Sequence, residues 1–222
     1  MQEDLKKVYQ HMIRLGMGVL THANYHSNYH SYQNPVWSEL SVLQAAHSAE
    51  ILIKARIAQE HPLLIFEKLP HLSNNSTELL NFEHLLEKGK TIQYSDLPER
   101  LWATTGIKLK DIELFNKFGM LRNKIQHFAS PKDTDCGKEA LKFIFTIIDP
   151  FINECWGLYA IDCNEDSEQY KYLIEGLIEN EILFLISPSS IDDLKEVEFN
   201  WTKNKKYKKE MIKRFQDIGF NI

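Results

Sequence analysis

Apolar residues recur every three or four positions along several stretches of this chain, and this period restricts what the chain can fold into. In residues 2–20 the apolar positions are Leu5, Val8, Met12, Leu15 and Val19. Such spacing places side chains on one face of an α-helix, whereas a half-buried strand alternates every two residues. The sequence therefore predicts a chain built mainly from amphipathic helices.

The same period predicts three longer helices, at 38–59, 111–128 and 138–158, which supply the apolar centre. In the helix at 38–59, one broad stripe along its surface is predicted to comprise Leu40, Leu43, Ala46, His47, Glu50, Ile51, Lys54, Ile57 and Ala58. Pro150 is expected to kink the helix at 138–158, because proline lacks the backbone N–H that continues a helix.

Weaker patterns predict the remaining elements. A polar loop at 70–81 precedes a helix at 78–88 with Asn75 or Ser76 as its cap, and a short helical stretch runs through Trp102. A further helix is predicted at 170–180. The apolar run at 182–186 fits either a strand or the end of that helix.

These elements predict an all-α fold, a bundle of four to five helices with a small C-terminal appendage that is helical or α+β. We expect the bundle to occupy residues 1–160, with its core at 38–158. The appendage occupies 161–222 and ends in a basic helix.

Several composition features favour a cytoplasmic protein. No apolar run is long enough to span a membrane, and the N-terminal segment lacks the apolar core of a signal peptide. The three cysteines share no CxxC spacing, which argues against a disulfide framework or a zinc module. We therefore expect no membrane association and no metal site.

Positive charge is concentrated at the C-terminus. Residues 195–222 hold eight Lys or Arg and four Asp or Glu, a local charge of +4 in a chain of net charge −5. Lysines there could hold phosphates by Coulomb attraction while Trp201 and Tyr207 stack on bases. The alternative interpretation is a solvated terminal helix.

The segment from Arg122 to His127 concentrates functional side chains at the end of an apolar helix. Asn123 and His127 are four residues apart and share a helix face. Arg122 and His127 are separated by about 140° around an ideal helix, an angle that a long arginine side chain partly closes. His127 lies in the last turn, where an imidazole titrating near neutral pH suits acid–base chemistry.

This segment resembles the R-x4-6-H motif of the HEPN superfamily, in the form in which a polar residue follows the arginine. The stretch Glu50-Ile-Leu-Ile-Lys54-Ala-Arg56 is similar to the acidic-then-basic signature that several HEPN families carry on an earlier helix. The His61-Pro62 break after it is also similar to that superfamily. The resemblance covers roughly residues 38–158.

The resemblance implies a HEPN-like bundle that cleaves RNA without a metal or other cofactor. His127 would act as general acid or base, Arg122 would bind the scissile phosphate, and Asn123 would orient His127 or bind phosphate. The residues implied in substrate binding or support are Glu50, Lys54, Arg56, Lys124 and Gln126. The resemblance also implies a homodimer, an antitoxin or regulatory partner, and a toxin or phage-defence role.

One alternative stays open for this segment. The chain could be a catalytically silent HEPN module, a dimeric scaffold that binds a protein or nucleotide. In that case Arg122 and Glu50 form a structural ion pair, and His127 caps backbone carbonyls.

The segment containing His22, His26 and His30 also has several interpretations. A helix would place the three imidazoles on one side, as a metal site requires. The same segment could instead line a dimer or contact RNA, with Tyr25, Tyr29 and Tyr32 stacking on bases. Ordinary packing is the third interpretation.

Overall fold

Helices dominate the computed structural model, which describes residues 3–70, 80 and 82–221. The α-helices are α1 (Glu3–Asn28), α2 (Trp37–Glu60), α3 (Phe82–Lys88), α4 (Leu97–Thr105), α5 (Ile112–His127), α6 (Cys136–Phe143), α7 (Asp149–Trp156), α8 (Gln169–Glu179) and α9 (Lys205–Asp217). In the described part, the only strands are β1 (Phe66–Lys68) and β2 (Lys90–Thr91), which pair antiparallel. The predicted all-α class is confirmed.

Short polar side chains cap the starts of α5 and α9. Asp111 accepts a hydrogen bond from the backbone N–H of Leu114 at the start of α5. Asn204 accepts one from the N–H of Tyr207 at the start of α9. These caps satisfy N–H groups that have no partner within the helix, so the sequence fixes where both helices begin.

Helix α2 is buried around most of its circumference. Besides the predicted stripe, Val42, Ala45, Ala49, Leu52 and Ile53 are almost inaccessible to solvent. His47, which the stripe would bury, is exposed. The buried surface of α2 therefore extends beyond the predicted stripe, because this helix contacts neighbours on several sides.

The predicted helix at 138–158 is observed as α6 and α7, joined by a π-helical turn at Ile144–Ile148. Pro150 lies in the first turn of α7, and its ring lacks the backbone N–H that a regular helix would use there. The kink at Pro150 stays a prediction.

Two predicted elements differ from the observed ones. Helix α1 continues eight residues beyond the predicted end, to Asn28. Residues 182–186 form neither a strand nor the end of α8. The predicted loop at 70–81 and its cap at Asn75 or Ser76 lie almost wholly outside the described residues.

The chain divides into two compact units, and α1 and α2 each contribute to both. The first unit comprises Met1–Met17 and Ser48–Leu109. Within it, a Cβ added to Gly16 would lie 2.7 Å from Leu52, and the Ser48 hydroxyl donates to the Gly16 carbonyl at 2.9 Å. Small residues therefore let the two helices approach closely in this unit.

The second unit comprises Gly18–His47 and Lys110–Ile222. Its core includes the stacked rings of Phe118 and Phe143, whose centroids are 3.9 Å apart. Phe184 contacts Phe145 and Phe215 edge-on. The predicted domain boundary at residue 160 thus falls inside this unit, because aromatic side chains from both sides of it share one buried core.

A buried carboxylate also connects chain segments in the second unit. Asp149 is fully buried and accepts hydrogen bonds from the backbone N–H groups of Ala160 and Leu185, both at 2.9 Å. Burial raises the pKa of Asp149 to about 6, although both hydrogen bonds favour the charged form. No helix in the described ranges is long and apolar enough to cross a membrane.

Candidate functional site

The two halves of α5 differ in their surroundings. Leu114, Phe115 and Phe118 in its first half are buried. From Met120 onward the side chains are exposed or only partly buried, and Met120 itself is 58% exposed. The first half therefore anchors the helix, while the second half presents the predicted catalytic segment to solvent.

Arg122 and Asn123 contact each other directly at the start of this exposed half. The Arg122 guanidinium donates from Nη1 to the Asn123 Oδ1 at 2.9 Å. Arg122 is partly buried, whereas Asn123 is exposed. Asn123 thus restrains the guanidinium in this structure, a different contact from the predicted one with His127.

An open pocket of about 330 Å³ lies beside Arg122, entirely within the second unit. Its described lining comprises Leu43, Gln44 and His47 from α2, and Arg122 and Gln126 from α5. None of these side chains is a carboxylate. One guanidinium, one imidazole and two amides therefore surround a space where an anion meets no fixed negative charge in the lining.

Gln44 is held by a neighbour from α1. The His26 Nδ1 lies 2.8 Å from the Gln44 Oε1, so His26 donates to this oxygen. His26 is itself in contact with the Trp37 ring, at a centroid distance of 4.7 Å. With its oxygen engaged, the Gln44 amide retains its nitrogen as a hydrogen-bond donor.

His127 is exposed in the last turn of α5, one turn beyond Asn123. Its ring makes no hydrogen bond or ion pair with any described residue. The Lys124 carbonyl at the helix end accepts from the backbone N–H groups of Phe128 and Ala129 instead. The ring of His127 is therefore accessible to a substrate and does not cap the described end of the helix.

The other predicted site residues are distributed between the two units. Gln126 lines the pocket, and Lys124 is exposed nearby on α5. Glu50, Lys54 and Arg56 belong to the first unit. The predicted Arg122–Glu50 ion pair would join residues of different units and stays a prediction.

In the first unit, Lys54 is almost fully buried and is held by two neighbours. Its ammonium group lies 2.7 Å from the Glu50 carboxylate and 3.2 Å from the Thr91 hydroxyl. Arg56 pairs with Glu60 one turn later on the same helix. Glu50, Lys54 and Arg56 therefore each form an ion pair within α2.

The histidine-rich segment contacts other side chains of the second unit. His22 lies 3.1 Å from a Glu165 oxygen, and its ring stacks on that of His26. His30 lies beyond the end of α1, so the three imidazoles do not share a helix face.

The tyrosines of this segment are also engaged. Tyr25 contacts the rings of Tyr29 and Trp37, and the Tyr29 hydroxyl donates to Asp166. Tyr32, in contrast, is fully exposed. These contacts favour the packing interpretation for Tyr25 and Tyr29.

Sequence reasoning did not identify Gln44 and His47 as site residues. They are three residues apart on α2, so they share a face. Many other residues of α2 are also polar, so the sequence carries no signal that singles out these two. Their proximity to Arg122 depends on the packing of α2 with α5 in the second unit, which no local pattern encodes.

No group of three or more His, Cys, Asp or Glu side chains in the described part of the chain is placed to hold a metal ion. No family model matches the chain, and no curated protein or solved structure is significantly similar to it. The functional assignment therefore depends on the chemistry of the pocket and of the exposed end of α5.

Proposed function

We propose that this chain is a metal-independent endoribonuclease of HEPN type, with its reactive centre at the exposed end of α5. One observation carries the proposal. Arg122 lines an open, carboxylate-free pocket together with His47, Gln44 and Gln126, and the exposed imidazole of His127 follows on the same helix. A guanidinium and an accessible imidazole are the groups that phosphodiester cleavage requires.

The reaction is an internal transfer at phosphorus. The 2′-hydroxyl of one nucleotide attacks the adjacent phosphorus, and a base removes its proton as the new P–O bond forms. The bond from phosphorus to the 5′-oxygen of the next nucleotide breaks, and an acid protonates that oxygen. The products carry a 2′,3′-cyclic phosphate and a 5′-hydroxyl, and His127 performs one of the two proton transfers.

The pocket would hold the phosphate during this reaction. The planar guanidinium of Arg122 donates two hydrogen bonds in a geometry that suits phosphate oxygens and stabilises the charge of the transition state. The amide nitrogens of Gln44 and Gln126 add neutral donors. His47 supplies a second imidazole, which suits the proton transfer that His127 does not perform.

The remaining predicted residues would support the site. Asn123 positions Arg122 through its hydrogen bond, and Lys124 attracts the RNA electrostatically. Lys54 and Glu50 form their pair in a buried position, so we assign them a role in stabilising α2. Arg56 is likewise held by Glu60.

We further propose that the protein acts as a homodimer through the end of α5. Met120 and Phe128 are large apolar side chains, 58% and 95% exposed, on either side of the Arg122–His127 segment. Exposed apolar residues around a site are typical of protein interfaces. The proposed setting is a cytoplasmic toxin or phage-defence effector that an antitoxin or regulatory partner silences.

The nuclease proposal is tested by incubating the purified protein with a labelled RNA and an excess of a metal chelator. We expect cleavage, with cyclic phosphate and 5′-hydroxyl ends identified by mass spectrometry. An RNA with a single 2′-deoxy nucleotide at the cleavage position should not be cut there, because the attacking group is missing. Cleavage of that bond, or dependence on an added metal, would contradict the mechanism.

The expression host gives a second arm of the same test. A toxic ribonuclease slows growth, and His127→Ala or Arg122→Ala should restore it while the protein remains folded. Identical growth with wild type and His127→Ala, together with no cleavage in vitro, would instead support the silent dimeric scaffold.

The dimer is tested separately by light scattering after size-exclusion chromatography. The double variant Met120→Glu/Phe128→Glu should be monomeric at concentrations where the wild type is dimeric, because a dimer would bury like charges. Leu86→Glu, at an exposed apolar residue of α3, is the matched control and should stay dimeric. A monomeric wild type would contradict the dimer.

A further inference from the structure

Helix α9 has one buried face and one strongly basic face. Tyr207, Met211 and Phe215 are buried on one side. The opposite side carries exposed lysines. Lys205, Lys209 and Lys213 are four residues apart and Lys206 is three residues before Lys209, which aligns them in a row along the helix. We call this row the basic face, and it consists of Lys205, Lys206, Lys209 and Lys213.

The charges of the basic face are not neutralised within the described chain. None of its lysines forms an ion pair with a described residue, whereas Lys117, Lys195 and Lys90 elsewhere each contact a carboxylate. Arg214, on the same helix, is engaged by Glu210 and by the Phe184 carbonyl. The basic face thus carries four positive charges, close together on one helix, without a carboxylate partner among the described residues.

Helix stability does not explain this arrangement. Like charges three or four residues apart repel each other, and no acidic residue lies in the first turn of α9. Lys205 and Lys206 stand at the positive end of the helix dipole, where cations are unfavourable. An anionic ligand would remove both penalties.

A shallow, open depression of about 930 Å³ runs along the basic face. Its lining includes all four lysines together with Leu183 and Ile212. Two carboxylates also line it, Glu181 and Glu210; the Asn204 amide donates to Glu181 at 2.7 Å, which keeps that carboxylate charged, and Arg214 pairs with Glu210. The lining lysines outnumber the two carboxylates, so the net charge of the depression is positive.

The aromatic residues near the basic face, Trp201 and Tyr207, already contact other residues of the chain. Tyr207 is buried, and its hydroxyl donates to the Ile182 carbonyl at 3.0 Å, so its ring is not accessible for stacking on a base. Trp201 stacks on Phe199, with Lys208 5.5 Å from its ring centroid. Contact with a nucleic acid would therefore go through phosphates, which flexible lysines bind as point charges without sequence preference.

We propose that the basic face of α9 binds the phosphate backbone of single-stranded RNA independently of its sequence. It is a second RNA-contacting surface, distinct from the residues that line the pocket beside Arg122. That the bound polyanion is RNA rests on the proposed nuclease function. That the surface suits a polyanion rests only on the positive charges of α9.

The experiment measures binding of a labelled single-stranded RNA by fluorescence anisotropy, using the full chain with His127→Ala so that the RNA stays intact. The test variant adds Lys206→Gln, Lys209→Gln and Lys213→Gln. The control adds Lys68→Gln, Lys88→Gln and Lys108→Gln, which removes the same charge from exposed positions of the first unit. Glutamine and lysine have similar helix propensities, and circular dichroism checks that α9 is retained.

Losing three phosphate contacts should weaken binding by about a hundredfold at moderate salt and should reduce the slope of log K against log salt by about 2. The control should bind like the parent. Equal weakening in both triple variants, unchanged binding in the test variant, or no RNA binding by the parent would overturn the proposal. If polyglutamate binds as tightly as RNA, the proposal is also overturned, because the surface would then suit an acidic protein.

These outcomes are separable from those of the nuclease test. RNA binding through the basic face without cleavage by the wild type contradicts the nuclease and leaves this inference intact. If the wild type cleaves RNA but the three α9 substitutions leave RNA binding unchanged, the nuclease proposal stands and the inference about the basic face is contradicted.

Discussion

The two halves of α5 show how one helix serves both stability and chemistry. In its first half, Phe118 is buried and stacked on Phe143. In its second half, Asn123 and His127 are exposed and Arg122 lines an open pocket. Substitutions of the buried side chains of the first half should therefore change the free energy of unfolding, and substitutions of the exposed polar side chains of the second half should change cleavage alone.

The largest effect on the fold is expected from Phe118→Ala. Removing a buried aromatic ring leaves a cavity and should lower the free energy of unfolding by about 3–5 kcal/mol, measured by urea denaturation. Ile112→Ala, on the half-exposed first turn of the same helix, is the control and should change it by less than about 0.5 kcal/mol. Similar losses for both would mean that the first half of α5 is not a core element.

In the second half of α5, Arg122→Lys is expected to change the cleavage rate and not the stability. The charge is kept, but the planar fork that binds two phosphate oxygens is lost, so the cleavage rate should fall by about 100-fold. The free energy of unfolding should change by less than about 1 kcal/mol. Full activity in the lysine variant would mean that only the charge matters.

His47 of α2 also lines the pocket, so His47→Ala should affect the cleavage rate and not the stability. Loss of the second imidazole should reduce the cleavage rate by about tenfold or more, at unchanged stability. His11→Ala removes another exposed imidazole, from α1 in the first unit, and should leave the rate unchanged. If both variants keep full activity, His47 takes no part in the reaction.

The smallest effect concerns pH and separates stability from activity. The Asp149 pKa is raised from 3.8 to about 6 in the folded chain by burial, so its contribution to stability is complete below 3.8 and is lost as pH rises through about 6. Between about pH 5 and about pH 7 the wild type should lose about 1 kcal/mol from this residue.

Asp149→Asn cannot titrate and should lack that loss. The measurement is the difference between the unfolding free energies of the two proteins at each pH. A difference that does not change with pH would contradict the raised pKa. The pH profile of cleavage should be the same in both, because Asp149 does not line the pocket.

The sequence predicts much of this organisation and misses what depends on distant contacts. The apolar period predicts α5 almost to its ends, and the lysine run predicts α9. The burial of Tyr207 and the exposure of His47 were not predictable, because each depends on which helix packs beside it. Periodicity gives the faces of a helix but not the number of its neighbours, and α2 has too many for a single stripe.

The central claim is that the exposed end of α5 performs chemistry that the fold does not need. The most direct measurement compares the RNA cleavage rate of wild type and His127→Ala at equal concentration, with the free energy of unfolding of each. We predict a rate loss of about 10²- to 10⁴-fold with stability unchanged within about 0.5 kcal/mol. Equal cleavage rates in two folded proteins would contradict the claim.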